Sequence, residues 1–159
     1  MLAGFHFFTA SALTLNLTNN LSLAFILGFL LHHLEDFLPH LDLNIYGESE
    51  KFSSIKNWTK EIWFLVIAEF LLFFLLTFYF LSYYPFNKKL IAFVGGIGSL
   101  FPDIISFSIK SFFPDFKLLK PYQKFHEKYH WRLKNKNYLI PFLVQGLIFL
   151  ISLKFFSIR

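Results

Sequence analysis

The chain has 159 residues, of which 55% are hydrophobic and 25 are Phe, and its mean hydropathy is +0.52. Such a composition excludes an ordinary soluble domain and points to an integral membrane protein. Cysteine is absent, so a disulfide framework and a thiolate metal site are both excluded, and any metal must be held by His, Asp or Glu. The net charge of +5 and pI near 9.4 invite a nucleic-acid reading. The basic residues cluster beside the apolar runs, however, where attraction to anionic headgroups accounts for them, and no nucleic-acid partner is expected.

Residues 3–17 form an apolar stretch interrupted by His6, Thr9, Ser11, Thr14 and Asn16, read as a helix with a polar face. A signal peptide fits poorly there, because no Lys or Arg precedes the apolar run and no small-residue cleavage site follows it. The run Leu21–Leu38 is long enough to cross a hydrocarbon core of about 30 Å at ~1.5 Å per residue. It closes in His32-His33-Leu34-Glu35-Asp36-Phe37-Leu38-Pro39-His40-Leu41-Asp42, three imidazoles and three carboxylates within eleven residues. His32 and Asp36 are four apart and share a helix face. Pro39 ends or bends the helix and brings His40 round to the same place, which is the geometry of a metal site. His33 is expected at the interface, Glu35 as a partner behind a ligand or as a general base, and Asp42 as an uncertain further carboxylate.

The loop from Asn44 to Lys60 is polar, with Trp58 and Trp63 marking the interface; its Asn57-Trp58-Thr59 sequon lacks a secretory context. Further spans are expected at 62–84 and 90–109. The second carries Gly95-Gly96-Ile97-Gly98-Ser99-Leu100-Phe101-Pro102-Asp103. A phosphate loop is excluded, since no strand-to-helix context and no Lys-Ser/Thr ending accompany the glycines. Small residues inside a span favour close helix packing, and Asp103 after Pro102 repeats the pairing of proline and carboxylate in the first cluster. A short interfacial helix is expected around Pro121 to Trp131, where His126 and His130 form an H-x-x-x-H pair on one face, flanked by Phe125, Tyr129 and Trp131. The last span is expected at 138–156.

The expected fold is therefore an all-α integral membrane bundle of four to five transmembrane helices with a short interfacial helix, in one domain over 1–159. With a cytoplasmic N-terminus, eleven basic residues lie inside and four outside, the arrangement that the positive-inside rule prefers. Alternate crossings deliver His6, the His32 to Asp42 segment, Asp103, His126 and His130 to one membrane face. That convergence is independent of absolute orientation.

These landmarks resemble known families. His32-x-x-x-Asp36 followed by Pro39-His40 is similar to the zinc-binding helix of the zinc-dependent phospholipase C and single-strand nuclease superfamily. The early His6, the Gly98 to Asp103 stretch and the late His126 and His130 together resemble the bacterial membrane-bound metal-dependent hydrolases. The sequence departs from those patterns where Pro39 is followed directly by His40, where Asp103 lacks a second Asp, and in having no His-Arg-Gly-Thr-His-Ser stretch. The resemblance implies a membrane-embedded hydrolase, in a bacterial inner membrane with its site on the cytoplasmic side. Zn²⁺ or another divalent metal would be held by His6, His32, Asp36, His40, Asp103, His126 and His130, with Asp36 and Glu35 as catalytic candidates. Activated water would attack a phospholipid or another lipid-linked ester, and Lys124, Lys128 or Arg132 would clamp an anionic oxygen. Two other classes are weighed against it. A purely structural His/Asp knot would bind little metal, while a divalent-cation transporter would place its ligands at the bilayer midplane between inverted repeats, which are not evident here.

Overall fold

The computed structural model describes residues 3–41, 58–112, 117–131 and 138–158, with the side chains of 109–112 and 127 outside the description. The described residues form helices α1 (Ala3–Leu17), α2 (Leu21–Phe37), α3 (Lys60–Leu81), α4 (Phe86–Phe112), α5 (Lys120–Tyr129) and α6 (Leu139–Ser157), with a 3₁₀ turn at Lys117–Leu119 before α5. No strand occurs among them. The expected Asp42 and Arg132 sites, the sequon at Asn57 and most of the 44–60 loop lie outside the described residues.

Helix α1 is the centre of the bundle, packed by α2, α3, α4 and α6. It is apolar on nearly every side and buried along almost its whole length, as a helix without a wet face must be. Its threonine hydroxyls are satisfied within the helix, Thr9 Oγ1 donating to the Phe5 carbonyl at 3.1 Å and Thr14 Oγ1 to that of Ala10 at 2.7 Å, whereas Ser11 Oγ is buried without a hydrogen-bond partner among the described residues. Both of its ends are met by charge from neighbouring helices. Glu69 of α3 accepts from the Gly4 and Phe5 amides at 3.1 and 2.8 Å, and Lys88 of α4 donates to the Leu15 carbonyl at 3.0 Å. An anion at the N-terminus and a cation at the C-terminus complement the helix dipole.

Helix α2 starts at Asn20, whose side chain caps the Leu23 amide at 3.0 Å, and ends where Leu38 turns extended ahead of Pro39. Its buried stripe runs Ala24, Gly28, His32 and Asp36 at successive i+4 positions, while Leu23, Ile26, Leu30 and Leu34 face outward. That stripe lies against the glycines of α4. A Cβ on Gly28 would strike the Gly95 carbonyl oxygen, and one on Gly98 would strike the Phe25 carbonyl oxygen, so the two backbones touch. A Cβ on Gly95 would in turn meet the Thr14 side chain of α1. This is the small-residue packing expected where apolar helices associate without a hydrophobic driving force.

Helices α3, α4 (over Phe86–Ser108) and α6 are long and apolar enough to cross a membrane. α3 and α6 turn large side chains outward, among them Phe64, Leu72, Leu75, Phe142, Leu143 and Leu150. The expected helices at 3–17 and 21–38 are present as α1 and α2, but at 15 and 17 residues they are shorter than these three. The phenylalanines are divided between core and surface: Phe7 and Phe8 are buried, Phe8 packing with Phe73, Phe149 and Phe156, whereas Phe64 and Phe78 are exposed.

Because backbone meets backbone at Gly28, Gly28→Ala is expected to destabilise the protein by about 1–3 kcal/mol, the range for overpacking a filled site. At Gly146 of α6 a Cβ would find no atom within 4 Å, so Gly146→Ala is expected to leave stability unchanged or raise it by up to ~1 kcal/mol. Thermal melting of both variants in the same detergent checks the contrast.

Candidate metal centre

The bundle gathers side chains from five segments around the carboxylate of Asp36. Oδ2 lies 3.1 Å from His32 Nε2 and 3.2 Å from His126 Nε2. Asp103 Oδ1 lies 3.7 Å from each of those nitrogens, and the nitrogens are 3.2 Å from one another. On the other side, Oδ1 lies 3.3 Å from His6 Nε2 and 3.7 Å from His130 Nε2. Three groups each offer ligand atoms within 4.8 Å of one another: His6, His32 and Asp36; Asp36, His40 and His130; and His32, His33 and His126. All seven side chains expected as ligands are thus neighbours, gathered around Asp36, with His33 added to them.

Local structure explains each placement. His32 and Asp36 come from the buried stripe of α2, and Asp103 follows Pro102 on the α4 face that packs against it. His6 lies in the second turn of α1, fully buried. The α2 helix stops before Pro39, so His40 folds back and its ring meets that of His130 edge-on at 4.8 Å between centroids. α5 presents His126, and His130 is its C-cap residue. Beyond it, the Trp131 amide donates to the Asp36 carbonyl at 2.7 Å, which fastens the end of α5 to the last turn of α2.

Atoms behind the ligands fix ring orientation. His6 Nδ1 donates to Glu35 Oε2 at 2.5 Å, His40 Nδ1 to the Leu38 carbonyl at 2.7 Å and His130 Nδ1 to the Trp131 carbonyl at 3.0 Å. With Nδ1 committed outward, the Nε2 atoms of His6 and His130 face Asp36 Oδ1, the orientation that bonds behind a ring give to metal-bound imidazoles. Burial, with nearby positive charge adding to it, lowers the His40 imidazole to about 3, leaving it neutral at physiological pH. His6 Nε2 and His40 Nε2 are buried without a hydrogen bond of good geometry among the described residues. Buried imidazole nitrogens beside a carboxylate form a donor set that could hold a metal ion.

His33, expected at the interface, is half-buried on the flank of the cluster, with the Tyr122 hydroxyl 3.4 Å from its Nε2 and Phe125 against its ring. Glu35 reaches the cluster through His6. Lys124 and Lys128 are exposed on α5. Two contributors escape the sequence reading. Glu69 in α3 grips the first turn of α1 just ahead of His6, and Gln145 in α6 accepts from the Leu41 amide at 3.2 Å, just beyond His40. The available signal was a single carboxylate and a single amide inside otherwise apolar spans.

Asp36→Asn keeps the size of the side chain but removes the shared charge. Metal analysis of detergent-purified protein is expected to find divalent metal in the parent and little in this variant. Added cation at 100 times its Kd should stabilise the parent by about 2.7 kcal/mol and the variant far less.

No protein-family profile, curated protein or solved structure matches the chain. Its chemistry is read from the geometry of its own side chains.

Proposed function

We propose that this protein is a membrane-embedded, divalent-metal-dependent hydrolase acting on a phosphoester or other lipid-linked ester at headgroup level. The observation that carries this reading is the ring of four imidazole Nε2 atoms, from His6, His32, His126 and His130, all within 3.1–3.7 Å of one carboxylate. A carboxylate has hydrogen-bonding places for some of these, but His32 and His126 both address Oδ2 while lying 3.2 Å from each other. Two protonated rings would repel there, whereas two lone pairs pointing at one spot suit a cation. His32, His126 and Asp103 would hold one ion with Asp36 Oδ2, and His6, His40 and His130 a second with Asp36 Oδ1.

A bound divalent ion supplies Lewis-acid polarisation and a water acidified from 15.7 to about 7. The protein's own groups do the rest. Asp103 is 39% exposed at its side chain, in contrast to the buried His32 and Asp36, so the Oδ2 set is the side that an ester approaches. Lys120, Lys124 and Lys128 recur every fourth residue along exposed positions of α5, next to the face that carries His126. They would hold the anionic oxygen of a headgroup beside the site. Glu35 serves by holding His6. The full reading is four to five membrane crossings, with α1 and α2 counted as spans, in a bacterial inner membrane with the N-terminus and site cytoplasmic, as the resemblance and the distribution of basic residues favour.

A structural ion-pair knot is the second reading, favoured by one observation: His6 stands between Glu35 and Asp36 at 2.5 and 3.3 Å. It requires no cation and no turnover. Mixed micelles containing phosphatidylglycerol, phosphatidylcholine or a chromogenic phosphodiester distinguish the two. Hydrolysis is expected that stops on chelation, returns with divalent metal and falls at least 100-fold in Asp36→Asn. Changing Lys124 and Lys128 together to Gln should raise KM for the anionic lipid with kcat little changed. Full activity after exhaustive chelation would overturn the reading.

A further inference from the structure

The outer helices α3 and α6 contribute no ligand to the cluster, and their buried Thr77 and Ser152 hydroxyls bond within their own helices, yet each sends one polar side chain to main chain elsewhere in the bundle. Glu69 lies nine residues into α3, about 14 Å along it at ~1.5 Å per residue, among Ile67, Ala68, Phe70 and Leu71. Its two oxygens take two consecutive amides at the start of α1, Gly4 at 3.1 Å and Phe5 at 2.8 Å, and the next residue is His6. Gly4 is held at the same point, since a Cβ there would come within 2.7 Å of the Phe70 Cα. Gln145 lies in the middle of α6. Its Oε1 accepts from the Leu41 amide at 3.2 Å and its Nε2 reaches the Leu41 carbonyl at 3.5 Å, and the preceding residue is His40. A free carboxylate or amide in an apolar helix is costly, so both have a use, and in both cases that use is main chain adjoining a histidine.

In the proposed reading His6 and His40 serve the same ion; His6 Nε2 lies 3.3 Å from Asp36 Oδ1 and within reach of His32, and His40 lies within reach of Asp36 and His130. His32 and Asp103 need no such help, because they sit on α2 and α4, whose backbones are in contact at Gly28 and Gly98. His6 stands near the start of α1 and His40 beyond the end of α2, at positions where helix geometry alone fixes little. We infer that Glu69 and Gln145 are positioning residues, clamps from the two outer helices that set His6 and His40 against Asp36 and so define the second cation set. Each acts through main chain and neither touches the cation.

The inference rests on the metal reading for its purpose, but its mechanical part is tested without metal. In the cation-free protein in detergent, the imidazole ¹⁵N resonances of His6 are expected to shift in Glu69→Ala, and those of His40 in Gln145→Leu. Those of His126 should stay in place in both variants, and those of His32, whose ring lies 4.2 Å from that of His6, should move less than those of His6 in Glu69→Ala and stay in place in Gln145→Leu. Glu69→Gln, which keeps an acceptor oxygen for one of the two amides, should restore the His6 resonances at least in part. Unmoved His6 and His40 signals, or equal movement of all four rings, would overturn the inference whether or not metal binds. The second measurement is a Co²⁺ titration followed by visible absorption. The parent is expected to take two equivalents, and each variant to keep one at parental affinity while the other weakens at least tenfold. Two unchanged equivalents in the variants would overturn the clamps. A parent that binds no Co²⁺ would instead remove the metal reading and leave the resonance test to decide the clamps.

Discussion

Everything in this fold is arranged around the difficulty of keeping a carboxylate inside an apolar helical bundle. Asp36 is nearly inaccessible, and the surrounding positions offer either hydrocarbon or imidazole. An ionised carboxylate in such a place is stable only if positive charge or strong donors surround it. Here the compensation comes from several segments of chain, with His6, His32, His126 and His130 each within 3.7 Å of its oxygens. If those imidazoles were all protonated, the Oδ2 side would carry two cations in contact. If all were neutral, the carboxylate would lack its counter-charge. A divalent cation would resolve both difficulties at once, and a single protonated His6 between Glu35 and Asp36 would resolve them in part.

The backbone contacts serve that arrangement. Large side chains between α2 and α4 would hold the helices apart and leave Asp103 beyond reach of His32 and His126. Gly28, Gly95 and Gly98 allow the axes to approach until carbonyl meets Cα, and the distance from Asp103 Oδ1 to each ring falls to 3.7 Å. The glycines and the ligands occupy one stripe on each helix, so close approach is greatest next to the chemistry. Buried α1 then completes the inner layer, bringing His6 in from the opposite side of Asp36.

Much of this was legible in the sequence because polar groups are conspicuous in an apolar chain. The i+4 spacing of His32 and Asp36, the helix stop ahead of Pro39 and the H-x-x-x-H pair at 126 and 130 place side chains by local geometry alone. The expected alternation of crossings predicts that distant segments meet, and the bundle does gather them around Asp36. Less legible was which ring faces which oxygen of Asp36, because that depends on how the carboxylate and its neighbours turn. Helix lengths at 3–17 and 21–38 were readable, but the polar face read from His6, Thr9, Ser11 and Thr14 did not show that α1 would be enclosed on nearly every side, with those residues buried along with the rest. Glu69 and Gln145 were visible as isolated polar residues, yet their partners are backbone groups. Backbone amides have no sequence signature.

Those partners show how the two kinds of helix divide their roles. A ligand on the interior of a long helix is positioned by that helix, but a ligand near a terminus inherits the looseness of the terminus, where amides or carbonyls lack intrahelical partners. In water such ends are capped by solvent or by the chain itself. Inside a bundle they must be capped by a neighbour, and the neighbours that reach the start of α1 and the segment after α2 are the lipid-facing helices. One buried acceptor on each outer helix therefore satisfies the orphaned groups and fixes the adjoining histidine in the same step. Lys88 meets the opposite end of α1, at the Leu15 carbonyl, so that helix is held at both termini by charges of the sign its dipole prefers. The outer helices thus do more than face lipid: they determine whether the inner ones can present a rigid set of donors.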